Sequence, residues 1–207
     1  MILPDERFRD LWRALGARGY ARDALERLRV AYDEPHRAYH TAAHIGACLR
    51  LLDDPLVRPL ATRIEEVEAA LWFHDAVYDT HASDNEEQSA LLADQILRSA
   101  GVAADVVARI ATYIRATESH EASSPDAKVV VDVDLSILGE DPAVFARFED
   151  DIRREYAWVD EASYARGRAA VLRRFQERPF IYATSLFRAR LEARARANIA
   201  ASLNRSS

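Results

Sequence analysis

Two short stretches of this chain place histidine where a metal ion could be held. In "YHTAAH", His40 and His44 stand four positions apart, so a helix there would carry both on one face. In "ALWFHDAVYD", the adjacent His74 and Asp75 follow a strongly apolar run at the inner end of a predicted helix. A histidine beside apolar residues is more often a hydrogen-bonded structural residue, so neither stretch indicates a metal site by itself.

A third stretch, "VVVDVDLSIL", alternates Asp132 and Asp134 with valine. Ionised carboxylates among apolar residues are costly to bury unless a cation or hydrogen-bond donors compensate them. One divalent ion shared by these carboxylates and the imidazoles would remove that cost. Cys48 is the only cysteine of the chain, so a thiolate-rich zinc site is excluded and any metal must be held by nitrogen and oxygen.

Motifs for several other chemistries are absent from the sequence. It contains no G-x-x-x-x-G-K-[ST] phosphate loop, no G-x-G-x-x-G dinucleotide fingerprint, no G-x-S-x-G nucleophile elbow and no H-E-x-x-H zinc motif. The histidines and aspartates are therefore the main candidates for chemistry.

The elements that must position these residues are predicted to be helices of one domain over residues 1–207. The chain has only six glycines and seven prolines, and its 49% of hydrophobic residues is enough for a sizeable core. Apolar residues recur at helical spacing over 8–16, 21–32, 63–78, 84–101, 141–159, 160–178 and 184–204. Residues 128–139 alternate like a strand, but an isolated strand would have no partner, so a helix is favoured.

Several residues predict where these helices begin and end. Asp84 with Glu87 three positions later is typical of a capping box, and Gly101 is expected to end that helix. Asp141 followed by Pro142 predicts another helix start. Gly16 is expected to stop the first helix. A stripe with i+4 spacing is expected to face the core from the last helix: Phe187, Leu191, Ala195, Ile199 and Leu203.

Charge and composition limit the partners. The net charge is −6, and Lys128 is the only lysine, so a nucleic-acid partner is not expected. Residues 152–207 carry twelve arginines against five acidic residues, a pattern more typical of solvated helix faces than of a binding surface. No apolar run is long enough to cross a membrane and no leader is evident, so a soluble cytoplasmic protein is expected.

The ordered series "YHTAAH", "FHDAVYD", "NEEQSA", "DVDLSILG", "IRREY" and "GRAAVL" resembles the HD-domain superfamily of metal-dependent phosphohydrolases, in particular its poorly characterised bacterial branch. The resemblance extends from about Arg37 to the C-terminal helix. It implies an all-α, single-domain helical bundle with a metal-site core over about 37–140, on which C-terminal helices of 141–204 pack. The ligands would come from separate helices around one pocket.

The resemblance also implies the metal ligands. They would be His44, His74, Asp75 and one aspartate of "DVD", for which Asp134 is chosen because the family's last aspartate usually precedes an apolar residue, with Asp132 as the alternative. "YHTAAH" is also similar to the "YHN..H" segment of cyclic nucleotide phosphodiesterases, which implies that His40 is the general acid. His40 could then stand beside the metal, one helical turn from His44.

The resemblance implies further roles for residues whose motifs match the family less closely. Glu86 is a candidate acid or base. The candidate substrate contacts are Arg37, Asn85, Arg115, His120 and Lys128. The sequence departs from the family pattern at Tyr78, where many HD nucleotidases have glutamate, and at Glu118, where the family often has lysine.

The expected function is hydrolysis of a small phosphate ester, with a nucleotide as the leading guess. Imidazole ligation favours Mn, Fe, Co, Ni or Zn over Mg. The ion would activate a water for attack on phosphorus, Asp134 or Asp75 would accept the water proton, and His40 would protonate the leaving group. Two alternatives stay open: a regulatory metal- or nucleotide-binding module without turnover, and a di-iron oxygenase, for which only His120 is available as a further ligand. A homodimer is one possible assembly, and the sequence does not fix the oligomeric state.

Overall fold

Every regular element in residues 3–205, the part that the structure describes, is helical in this computed structural model. The α-helices are α1 (Asp5–Ala14), α2 (Ala21–Tyr32), α3 (Ala42–Leu52), α4 (Ile64–Phe73), α5 (Asn85–Ser99), α6 (Ala104–Ser119), α7 (Pro125–Asp134), α8 (Pro142–Glu155), α9 (Glu161–Glu177) and α10 (Ser185–Arg205). Short 3₁₀ segments occupy Arg58–Leu60 and Leu135–Gly139. These residues form one domain without strands, which confirms the all-α prediction.

The segment with alternating valine and aspartate is a helix, as predicted. α7 begins at Pro125, whose fixed φ suits the first helical position, and the Ser124 hydroxyl accepts a hydrogen bond from the Ala127 amide. The Leu135–Gly139 segment continues the chain as a 3₁₀ turn. The valines face the core on several sides of α7, which explains why its pattern lacks a clear helical period.

The predicted helix ends are right in all four places. Gly16 and Gly101 have φ of 71° and 78°, left-handed values that stop the preceding helices. Asp141 caps α8 by accepting from the Ala143 amide. Asp84 is the N-cap residue of α5 as predicted, but the capping box does not form: the Asp84 carboxylate bonds no backbone amide and accepts from the Gln88 side chain. Glu87 bonds Arg115 on α6.

α4 is the central helix of the fold. Its residues Glu66–Phe73 are all buried, and it packs against α1, α3, α5, α6 and α7. A helix that is enclosed on most sides fixes the direction of its last residues. The chain that leaves α4 at Phe73 therefore enters the protein interior rather than solvent.

α10 packs along the Leu135–Gly139 segment and α9. A Cβ atom at Gly139 would lie 2.6 Å from the Leu191 Cβ and 2.8 Å from the Tyr182 hydroxyl, so only glycine allows this approach. Of the predicted stripe, Phe187, Ala195 and Ile199 are buried. Leu191 and Leu203 are partly buried against the core.

Among residues 3–205, no helix is both long enough and apolar enough to cross a membrane.

Candidate metal centre

The ends of three helices bring the predicted ligands together. His44 lies in the first turn of α3, which begins after Thr41 caps the Ala43 amide. His74 is the C-cap residue of the buried α4, and Asp75 follows it. Asp134 is the last residue of α7. Because helix ends leave the chain free to turn, short side chains from all three helices reach one point.

The ligand atoms lie at the distances that a shared ion requires. The His44 and His74 Nε2 atoms are 3.2 Å apart, and Asp134 Oδ1 lies 3.2 Å from the first and 3.3 Å from the second. Asp75 Oδ2 lies 3.5 Å from His44 Nε2 and 3.0 Å from His74 Nε2. Ligand atoms about 2.1 Å from an ion stand about 3.0 Å apart at right angles and about 3.4 Å apart at the tetrahedral angle.

The cluster fits a cation better than it fits hydrogen bonding alone. Asp75 Oδ2 is buried and has no hydrogen-bond partner, which is costly for a carboxylate oxygen. His74 Nδ1 lies 3.1 Å from the Leu71 carbonyl oxygen, so Nδ1 donates there and Nε2 carries the lone pair. His44, His74 and Asp75 form a group that could hold a metal ion, and Asp134 faces both imidazoles of that group.

The charges of the cluster are strongly coupled. Burial alone would lower the pKa of His74, but the carboxylates of Asp75 and Asp134 raise it well above its usual value. Burial opposes ionisation of both aspartates, yet the nearby histidines lower the pKa of each. Positive charge on the imidazoles and the ionised carboxylates therefore stabilise one another. A divalent ion could take the place of that positive charge, because histidine binds a metal only as neutral imidazole.

The structure brings Asp134, and not Asp132, to the histidine pair. Asp132 points the other way and accepts the amides of Ala183 and Thr184 at 2.6 and 2.7 Å, just before α10 begins. Its side chain is fully buried there. Successive aspartates in "DVD" thus have separate tasks, since two positions along a helix turn a side chain by about 200°.

A cavity of about 410 Å³ opens onto the cluster through Asp134. Its polar lining includes His40, Glu86, Glu118 and His120. Its apolar wall is formed by α8, α9 and the 3₁₀ segment: Leu135, Ile137, Leu138, Phe148, Ile152, Val171, Leu172 and Phe175. The cavity has the size and mixed lining of a small-molecule site.

His40 reaches this cavity from a turn and not from a helix. α3 begins at Ala42 with Thr41 as its N-cap, so the helix follows His40 directly and does not include it. The His40 and His44 ring centroids are nevertheless 6.2 Å apart. Tyr78 stacks on His40 with ring centroids 4.1 Å apart, so the position where many HD nucleotidases have glutamate supports the histidine ring here.

Glu155 is the residue that holds His40, and no role for it was predicted from the sequence. Its Oε1 accepts the amides of Ala38, Tyr39 and His40 at 2.7–2.9 Å. Its Oε2 lies 2.7 Å from His40 Nδ1 and accepts the Tyr78 hydroxyl at 2.8 Å. Although burial opposes ionisation, these donors lower the pKa of Glu155 to about 2.

A signal for Glu155 was present in the sequence. Phe145, Phe148 and Ile152 are the buried apolar residues of α8, and Glu155 follows at the next position of the same helical face. A carboxylate on an apolar face requires several donors, so its position predicts a structural or functional partner.

The other site candidates in the cavity differ in their contacts. Burial raises the pKa of Glu86 at the cavity wall. Asn85 lines the cavity too, but its amide exchanges two hydrogen bonds with the Asp79 backbone, which fixes the preceding turn. His120, the left-handed C-cap residue of α6, places Nε2 3.4 Å from Asp134 Oδ2.

Three predicted phosphate contacts lie outside this cavity. The buried Arg37 guanidinium donates to the carbonyl oxygens of His40 and Asp75, so it supports the site from behind. Arg115 pairs with Glu87 on the surface. Lys128 lines a different cavity, which it shares with His120. Because none of the three lines the cavity beside Asp134, the prediction that they contact a phosphate bound there is wrong.

Comparison with known proteins finds no relative. No family model matches the chain, and no curated protein or solved structure is significantly similar to it.

Proposed function

We propose that this protein is a metal-dependent phosphohydrolase of the HD-domain type that cleaves a small phosphate ester. The observation that carries the proposal is the convergence of His44, His74, Asp75 and Asp134 below a cavity that also contains His40. Two imidazoles and two carboxylates suit Mn, Fe, Co, Ni or Zn better than Mg. A divalent ion in this position supplies Lewis acidity, which lowers the pKa of water and neutralises charge on a phosphoryl oxygen.

The protein side chains divide the proton transfers between them. His40 engages Glu155 through Nδ1, which leaves Nε2 to donate a proton to the departing oxygen. Burial lowers the pKa of His40, but Asp75 and Glu155 more than offset it, so the ring holds its proton at higher pH than usual. Asp134 lines the cavity and can accept a proton from the attacking water.

The cavity also supports the substrate class. Its volume of about 410 Å³ suits a small organic phosphate, and the apolar wall from α8 and α9 suits a ring such as a nucleobase. Phe148 and Phe175 are the aromatic residues of that wall. We therefore keep a nucleotide as the leading candidate, acted on in the cytoplasm.

One contact favours a second candidate function, a di-iron oxygenase. Asp134 directs Oδ1 to the His44 and His74 pair and Oδ2 to His120, so His120 could help to hold the second ion that an oxygenase would need. A regulatory module, the other alternative, would bind the metal but catalyse no reaction. Metal stoichiometry and the presence of hydrolysis separate the three functions.

The decisive experiment is metal analysis of the purified protein, followed by a phosphate-ester panel assayed with each of Mn, Fe, Co, Ni and Zn. We expect about one equivalent of metal and hydrolysis of at least one ester. The double change His74→Ala with Asp75→Ala should abolish both while leaving helicity intact.

The matched control is Asp79→Ala with His81→Ala. These residues form an exposed Asp-His pair of the same composition, with His81 Nδ1 3.1 Å from Asp79 Oδ1. The control should keep full metal content and activity. Hydrolysis that survives loss of the His74-Asp75 pair contradicts the proposal, and two irons with an oxidation-linked spectrum would favour the oxygenase.

A further inference from the structure

A second cavity lies on the other side of His120. It has a volume of about 360 Å³ and is lined by Lys128, Arg178 and Arg188, together with His120 and the half-exposed ring of Phe180. We call it the basic cavity. His120 also lines the cavity of the metal centre, so the two cavities share one wall residue.

The two arginines of the basic cavity are held rigidly by groups without charge. Arg178 donates to the carbonyl oxygens of Ser119 and His120, and its guanidinium lies over the Phe175 ring at 4.8 Å. Arg188 donates to the carbonyl oxygens of Tyr182 and Ala183, and it lies 4.0 Å over the Phe180 ring. Each guanidinium has five N–H donors, so each keeps several for a ligand.

The positive charge of this cavity is incompletely neutralised by the protein. Within residues 3–205, none of Lys128, Arg178 and Arg188 forms a salt bridge with a carboxylate, in contrast to Arg7, Arg109 and Arg168. Glu121 is the one acidic residue of the lining. Asp132 lies behind the wall, where it interacts electrostatically with Arg188 while the amides of Ala183 and Thr184 occupy its oxygens.

We propose that the basic cavity is an anion site for a phosphate group, bound by Lys128, Arg178 and Arg188. Preorganised guanidinium groups with spare donors match phosphate oxygens, and a lysine adds a mobile point charge. The phosphate has two conceivable sources: a second phosphate of the substrate, or free inorganic phosphate. The first source rests on the proposed function, because it requires the ester to occupy the neighbouring cavity, and the second does not.

The lone lysine makes the site directly observable. Because Lys128 is the only lysine, growth with ¹³C-labelled lysine gives a single side-chain ε-CH₂ signal by NMR. The metal-loaded full chain is titrated at constant ionic strength with inorganic phosphate, adenosine 5′-monophosphate and adenosine 3′,5′-bisphosphate. We expect a saturable shift of the Lys128 signal, and no saturable shift with any of the three would overturn the proposal.

The arms of the titration separate the two sources. If the substrate supplies the phosphate, the bisphosphate should bind at least tenfold more tightly than the other two probes, and His74→Ala with Asp75→Ala should remove that advantage. If free phosphate is the ligand, inorganic phosphate should shift the signal equally well in the double variant. A saturable shift in the unmodified protein, combined with no hydrolysis of any ester by that protein, would support the anion site and count against the proposed function.

A variant pair measures the contribution of the lysine charge. Lys128→Gln should weaken binding at least tenfold in calorimetry, measured with the probe that binds most tightly in the titration. Arg22→Gln is the control, because Arg22 is an exposed residue of α2, a helix that does not line this cavity, and it should change binding less than twofold. Equal affinities in both variants would overturn the assignment of Lys128.

Discussion

The Glu155 carboxylate lies 2.7 Å from His40 Nδ1, although the two residues are 115 positions apart in the chain. The same carboxylate accepts the backbone amide of His40. Glu155 therefore holds both the ring and the backbone of the proposed proton donor. A carboxylate with this many donors is a rigid support, and it increases the basicity of the ring it contacts.

Replacing Glu155 should change the pH dependence of the reaction. Glu155→Gln removes the negative charge next to His40, so the His40 pKa should fall. His40 acts as an acid in its protonated form, and activity decreases as pH rises through its pKa. The alkaline limb of the pH profile of kcat should therefore move to lower pH.

Tyr78→Phe is the control for this shift. It removes one neutral hydrogen bond to Glu155 while keeping the ring that stacks on His40. Its alkaline limb should move much less than that of Glu155→Gln. Equal pH profiles in Glu155→Gln and the unmodified protein would contradict a role of Glu155 in setting the protonation of His40.

The two aspartates of "DVD" should respond oppositely to the same substitution. Asp134→Asn should lose metal and activity, because it removes one of two carboxylates that face each imidazole, and its stability should match that of the metal-free unmodified protein. Asp132→Asn should keep its metal but lower the free energy of unfolding by about 1–3 kcal/mol, since the amides of Ala183 and Thr184 lose an ionised acceptor. Metal analysis and urea denaturation of both variants check this pair.

Metal removal should destabilise the protein. Without a cation, Asp75 keeps a buried oxygen without a hydrogen-bond partner. A ligand that binds only the folded state at 100 times its Kd adds about 2.7 kcal/mol of stability. Chelation should therefore lower Tm, readdition of Mn or Zn should restore it, and Asp134→Asn should make Tm insensitive to both treatments. An unchanged Tm on chelation would count against a bound structural or catalytic ion.

Arg37 and Arg115 were both predicted to contact phosphate, and their positions predict different effects on stability. The Arg37 side chain is 1% exposed and donates to carbonyl oxygens beneath the site. Arg37→Met should lower the free energy of unfolding by about 3 kcal/mol, since it leaves buried acceptors without partners.

Arg115→Gln is the matched comparison, because its partner Glu87 is exposed. Loss of an exposed pair should cost less than about 1 kcal/mol. Arg115→Gln should also leave the rate of hydrolysis unchanged. Thermal and urea unfolding of the two variants measure the difference, and a similar cost for both would show that Arg37 is less important to the site than its contacts indicate.

The sequence by itself determined the helical fold and the types of residue at the candidate metal centre. Helix formers are abundant and breakers are few, so the composition and the apolar spacing predicted an all-α protein. The motifs also singled out His44, His74, Asp75 and the "DVD" pair. These are local properties, because helix propensity, capping by Asp141 and stops at glycine depend on neighbours within a few residues.

The tertiary structure decided which side chains meet. The choice between Asp132 and Asp134 depends on where α10 begins, some fifty residues later in the chain. Glu155 reaches His40 only because α8 packs beside the turn before α3. Lys128 lies near Arg178 and Arg188 only because residues of α7, of α10 and of the segment between α9 and α10 line one cavity. Such contacts follow from the packing of separate helices, which local sequence patterns do not encode.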